Sequence, residues 1–317
     1  DELDGSRDPV LLAIGGSTTE CLVLDQGEAW PARLQDELSS GGRKAWVGNA
    51  GRSGHGTREH VVQVPVLLEE LPAVEVLLVL AGSNDLGLRL GQDEDYDPGF
   101  LLAEDFESQQ IPRAFSEYPR ELAAGLPFYK RTELYARARL LKNLLAGRLG
   151  LSADQGRRGE GVTRWRENRR QASAIRERLP DLQASLAEYR RNLGRIVESA
   201  SQRGVTVVLL TQPTIWRADL GQAERGRLWW GGVGDFQASG ARVPFYSVEA
   251  LAEGCAAYNR ALLETAQSTG ALGFDLAAEI PKTAEMFYDD MHFTEAGASR
   301  VAQAVAAFLR ERAVFDG

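Results

Sequence analysis

Residues 10–19 read Val-Leu-Leu-Ala-Ile-Gly-Gly-Ser-Thr-Thr. Five apolar residues without polar alternation suit a strand buried on both faces, as in a parallel sheet covered by helices. Gly15 and Gly16 stop the run, and Ser17 follows where a serine would cap a helix. Outward from here the alternation recurs. Helix signals cover 30–38, a second strand falls near 45–47, and a helix over 57–71 carries Val61, Val64, Leu67, Leu68 and Leu71 at helical spacing. Residues 75–81 (Glu-Val-Leu-Leu-Val-Leu-Ala) read as a third buried strand. A helix ending near Gln202 leads into a strand at 205–210, and a helix over 248–268 into a short strand near 272–274. The last helix starts at Thr294 as N-cap and aligns Val301, Val305, Phe308 and Leu309 on one face. Five strands with helices between them predict a flavodoxin-like three-layer α/β/α fold around a five-stranded parallel sheet.

The alternation breaks at 86–182, which offers no convincing strand but has helix-like stretches at 132–146 and 164–179. The expectation is a single domain over 1–317 with a mostly helical insertion at about 86–182, covering the active-site edge of the sheet.

Composition sets outer limits. Across 317 residues, 44% are hydrophobic and 26% charged, the balance of a globular protein. A net charge of -9 argues against nucleic acid as partner, since phosphate contacts need a basic face. Two cysteines, Cys21 and Cys255, cannot form a disulfide framework, and packed thiols are expected over a bridge. No apolar run reaches the ~18 residues of a membrane span. Position 1 is Asp rather than Met, which leaves room for a removed leader or anchor. That favours a bacterial secreted or membrane-anchored, extracytoplasmic setting.

Ligands of such sheets bind outside the carboxyl ends of the strands. Polar and glycine-rich punctuation collects there: Ser17 after the first strand, Gly51 to Gly54 after the second, Asn84 after the third and Trp216 after the fourth. Histidine is scarce, with only His55, His60 and His292. His292 closes Asp289-Asp290-Met291-His292, a spacing that lets a carboxylate reach the imidazole Nδ1. A surface histidine beside two acids reads equally well from that spacing alone. Ser17 fits either a nucleophile at a strand-to-helix turn or a helix cap, and Asn84 either an amide donor or a turn residue. The G-x-S-x-G elbow is nearly met at Gly51-Arg52-Ser53-Gly54 but fails at His55. Phosphate-binding and dinucleotide-binding glycine motifs are absent.

The order of the blocks is more specific than any one of them. Gly-x-Ser after strand one, Asn-x-Gly-x-x-Gly after strand two, Gly-x-Asn-Asp after strand three and Asp-x-x-His before the last helix together resemble the SGNH (GDSL-like) hydrolases, in a Gly-Gly-Ser-Thr-Thr subgroup. The resemblance covers roughly 10–85 and 200–312. It implies a serine esterase acting on a carboxylic ester through an acyl-enzyme, with Ser17 as nucleophile, His292 as general base and Asp289 orienting it. It also implies an oxyanion hole built from the Ser17 and Gly54 backbone N–H groups and the Asn84 amide. His55, where Asp is common in the family, leaves Gly51 and Gly54 as competing donors. No metal or organic cofactor is expected.

A small-molecule or glycan ester is the expected partner. Trp216, Trp229 and Trp230 would either stack on sugar rings as substrate contacts or pack the insertion against the sheet. Eight arginines against three glutamates over 157–178 read as a solvated helix face or a site for acidic groups. An O-acyltransferase using the same residues, and a non-catalytic binding protein on this fold, remain as alternatives.

Overall fold

The computed structural model describes residues 6–39, 44–98 and 153–315, with side chains from 161 onward in the last stretch. The main sheet holds β1 (Val10–Gly15), β2 (Trp46–Asn49) and β3 (Val76–Leu80). A two-residue strand β4 (Ile175–Arg176) lies apart, and β5 (Thr206–Leu210) returns to the main sheet. β6 (Phe245–Tyr246) pairs with β4, and β7 (Leu272–Phe274) completes the sheet. The order β2-β1-β3-β5-β7, with every pair parallel, is that of a doubly wound flavodoxin-like sheet. β1 and β3 lie inside it and are buried at every position, which is why their sequences run apolar without alternation.

The described helices include α1 (Ser17–Glu20), α2 (Trp30–Leu38), α3 (Thr57–Glu70), α4 (Ser83–Gln92), α5 (Ala153–Arg170), α6 (Gln183–Ser201), α7 (Val248–Thr269) and α8 (Glu295–Glu311). Single turns at Gln222–Arg225 and Leu276–Glu279 join them. α2 packs on α8, while α3 packs on α6 and α6 on α7, giving the two outer layers. Thr294 caps α8 by accepting the Gly297 N–H at 3.1 Å, and Ser247 caps α7 by accepting that of Ala250 at 3.2 Å.

The middle of the chain departs from the sequence reading in two places. α4 is the ordinary helix after β3, so the alternation continues to Gln92 rather than breaking at 86. The helix expected over 164–179 ends instead at Arg170, and Ile175–Arg176 is a strand. Its backbone finds partners across β6: Phe245 N–H donates to the Ala174 carbonyl and Ser247 N–H to that of Arg176. Those pairings satisfy the backbone in extended form, and helical spacing does not reveal them. The stretch 132–146 lies outside the described residues. Both cysteines are free and buried, and burial pushes each thiol up to about 11. No helix among the described residues is long and apolar enough to cross a membrane.

Candidate active site

Four loops at the carboxyl edge of the sheet meet around one cavity of about 440 Å³. Ser17 opens α1 directly after β1, Gly54 stands in the loop after β2, and Asn84 lies in the first turn of α4 after β3. Asp289 and His292 occupy the turn before α8. All five line the cavity.

His292 Nε2 lies 2.7 Å from Ser17 Oγ, and Nδ1 lies 2.9 Å from both oxygens of Asp289. A carboxylate only accepts, so Nδ1 carries the proton and Nε2 is left to accept from the Ser17 hydroxyl; the tautomer is inferred from this network. Asp289 is fully buried and also accepts the backbone N–H groups of Met291 (3.1 Å) and His292 (3.0 Å). The short D-x-x-H turn thus folds around its own carboxylate. Burial disfavours the charged imidazolium, but Asp289, then Asp290 and Glu20, outweigh it and hold the His292 pKa above its ordinary value. Burial likewise opposes ionisation of Asp289, and His292 with the Trp229 indole overcomes it and lowers that pKa.

On the other side of Ser17, Asn84 Nδ2 donates to the His55 carbonyl at 2.7 Å. An amide has two N–H donors, so the second remains for a ligand. Gly16 makes this approach possible: a Cβ there would stand 2.3 Å from Asn84 Nδ2. Gly16 is therefore matched to the placement of Asn84. Gly54 has φ +80, the left-handed region that glycine enters without strain, and it faces the cavity. The Gly51 N–H, by contrast, is already bound to Asn49 Oδ1 at 3.0 Å. Glu20 ties this loop to α1, accepting the Ser53 N–H at 2.7 Å and the Ser53 hydroxyl at 2.5 Å.

The other two histidines are occupied elsewhere. Gln63 donates to His55 Nδ1 at 3.1 Å and accepts from His60 Nδ1 at 2.9 Å. His60 is fully buried in α3, and burial drives its pKa down to about 4. Neither ring lines the Ser17 cavity among the described residues. Asp85 accepts the Thr57 N–H at 3.0 Å, fixing the start of α3, and burial raises its pKa to about 6.

Of the three tryptophans, Trp229 and Trp230 line the cavity and Trp216 does not. Trp216 is fully buried and away from the cavity lining, its indole donating to Asp290 Oδ1 at 2.9 Å. Trp229 and Trp230 border the cavity but are buried, and both backbone N–H groups donate to Asp290 Oδ2 (2.8 and 3.1 Å). Three described arginines of 157–178 are engaged inside the frame of the site: Arg169 donates to the carbonyls of Trp230 and Tyr246, Arg166 to those of Arg227 and Tyr288, and Arg176 pairs with Asp93. Sequence reasoning missed Glu20, Asp290, Trp165 and these arginines as parts of the site's frame. The adjacent acids of Asp289-Asp290 were the one visible signal, since two neighbouring carboxylates need separate sets of donors if both are buried.

Solved structures with a similar fold span nearly the whole chain. LAE5, an alpha/beta hydrolase enzyme from the metagenome of Lake Arreo in Spain, is 14% identical, with 98% of each chain covered and a TM-score of 0.50. The psychrotrophic esterase EstA of a Pseudoalteromonas species is 11% identical, covering 96% of this chain and 99% of its own, at 0.49. A catalytic mutant of Axe2, an acetylxylan esterase from Geobacillus stearothermophilus, is 14% identical over 98% and 96%, at 0.47. At 14% identity and a TM-score of 0.50, the likeness to LAE5 speaks to fold alone. Among curated proteins, no relative matches the sequence. The family model of the GDSL-like lipases and acylhydrolases matches residues 13–300, and the chain belongs to that family of ester-bond hydrolases.

Proposed function

We propose that this hydrolase cleaves carboxylic esters through an acyl-enzyme on Ser17, with His292 as general base and Asp289 as its orienting carboxylate. The observation that carries the reading is the 2.7 Å contact between His292 Nε2 and Ser17 Oγ, with Asp289 on the opposite ring nitrogen. As Ser17 Oγ attacks the carbonyl carbon, its proton passes to Nε2. The tetrahedral intermediate then collapses and the alcohol leaves with that proton. Water attacks the acyl-enzyme with His292 again as base, releasing the acid and restoring Ser17. The Ser17 and Gly54 N–H groups and the free Asn84 N–H supply the oxyanion hole. A serine-reactive phosphonate should add one equivalent, at Ser17; an adduct at Ser53 or Ser83 instead would overturn the assignment.

Asn84→Ala is expected to lower kcat by roughly 10²–10³, the usual loss for one oxyanion donor, with KM little changed. Thermal melting of the same variant gives the check. A fall in melting temperature that accounts for the lost activity would make Asn84 a turn residue only.

For the substrate, the cavity lining favours an uncharged ester with an apolar chain. Leu22 and Val23, exposed at 39% and 43%, flank it together with Val162, Trp165, Met291 and Phe293. Among the described lining residues there is no Lys or Arg to receive an anionic group. In aryl esters, kcat/KM should rise from acetyl to hexanoyl by roughly twofold to fourfold per methylene, up to the full value of a buried CH₂. A steady fall with chain length would return the choice to acetyl esters, including acetylated sugars.

A further inference from the structure

Trp229 meets Asp289, Asp290 and His292 at once. Its indole Nε1–H donates to Asp289 Oδ2 at 2.8 Å, and its backbone N–H donates to Asp290 Oδ2 at 2.8 Å. Its ring lies nearly parallel to the His292 imidazole, 9° between planes and 6.2 Å between centroids. Trp165 of α5 packs against it at 4.7 Å, and Phe236 lies 6.3 Å away. The segment that carries Trp229 is itself gripped by α5. Arg169 Nη1 donates to the Trp230 carbonyl at 2.6 Å, and Arg166 donates to the Arg227 carbonyl at 2.9 Å and to the Tyr288 carbonyl at 3.2 Å. One helix thereby holds both the tryptophan loop and the turn bearing Asp289.

We infer that Trp229 is a positioning residue of the active site, holding the Asp289 carboxylate in register with the His292 ring and setting how much of its charge is directed at that ring. The inference rests on the proposed roles of Ser17, Asp289 and His292. An N–H donor on Oδ2 spreads the carboxylate's negative charge away from the imidazole. A buried donor–carboxylate bond of this kind is among the strong hydrogen bonds of a protein, so its loss is felt by both partners. Taking it away leaves Asp289 a stronger acceptor toward Nδ1–H and favours the imidazolium. The other charged or titratable groups facing His292 are Asp290 and Tyr288 on its own turn and Glu20 on α1, with Arg169 of α5 beyond Asp290 and Arg166 behind the Tyr288 carbonyl. None of them takes over the bond to Oδ2.

The test is Trp229→Phe, which keeps an aromatic ring at this position and removes the indole N–H together with part of the ring volume, a loss that the Trp216→Phe control shares. With three histidines in the chain, the His292 imidazole signals can be assigned in NMR by their loss in His292→Ala. Trp216→Phe is the control, because it deletes an equally buried indole N–H from Asp290 rather than Asp289. Expected for Trp229→Phe are a His292 titration midpoint above that of the unmodified protein, an acid limb of kcat displaced the same way, and kcat down about tenfold with KM held. Trp216→Phe should lower the melting temperature comparably and move the midpoint less. A midpoint unmoved or lowered by Trp229→Phe, or moved equally by Trp216→Phe, would overturn the inference. The titration is read without substrate. A protein inactive on every ester would therefore refute the proposed function while the NMR result still decided the role of Trp229.

Discussion

Ser17→Ala is expected to lower kcat by about 10⁶-fold, the loss seen when the nucleophile of a serine–histidine–aspartate unit is removed. The fold should not notice. Ser17 Oγ bonds His292 Nε2, while α1 is held by other groups: the Trp30 indole donates to the Thr18 carbonyl, the Asn49 amide to that of Thr19, and Thr18 Oγ1 to Gln212 Oε1. Circular dichroism and melting temperature should match those of the unmodified protein while turnover falls to background. The neighbouring serines cannot stand in. Ser53 gives its hydroxyl to Glu20, and Ser83 is buried with its hydroxyl toward Gln212. Residual activity within tenfold of the original, in protein free of contaminating esterase, would place the nucleophile elsewhere.

The sheet was legible because each strand is a local signal. β1, β3 and β5 are apolar at nearly every position, and a parallel sheet buried on both faces leaves few other readings. The places of Ser17, Asn84, Asp289 and His292 were legible because each sits at a strand end or beside a helix cap, where the sequence punctuates. What could not be read depends on partners far along the chain. Trp229 meets Asp289 across 60 residues, and Arg166 meets the Tyr288 carbonyl across 122. Tryptophan after a strand looks the same whether it faces a sugar or bonds a buried acid. Likewise β4 exists only because β6 offers it a register, and two residues carry no period of their own. His55 adjoins Gly54 in sequence, and nothing local says where its ring goes. In the fold its ring is bound by Gln63 and its carbonyl by Asn84.

The base gives the second large effect. His292→Ala should abolish turnover to about the same extent as Ser17→Ala, since the members of such a unit fail together rather than additively. The pH profile says more. The base must be neutral to take the Ser17 proton, so activity falls as His292 protonates. Its pKa is held above the ordinary histidine value of about 6.5 by Asp289 first, then Asp290 and Glu20, against the opposing pull of burial. The acid limb of kcat/KM should therefore lie above that value. Asp289→Asn removes the main group favouring the imidazolium and leaves the burial cost in place, so the limb should move to lower pH. On its plateau kcat should still be down by about 10⁴, because an amide no longer fixes the Nδ1–H tautomer. His60 is already neutral across this range, its pKa held near 4 by burial, so His60→Ala should leave the limb where it was. His55→Ala should leave it as well. If His55→Ala erased the limb while His292→Ala kept it, the 2.7 Å contact with Ser17 would be structural and the base would belong to the oxyanion side.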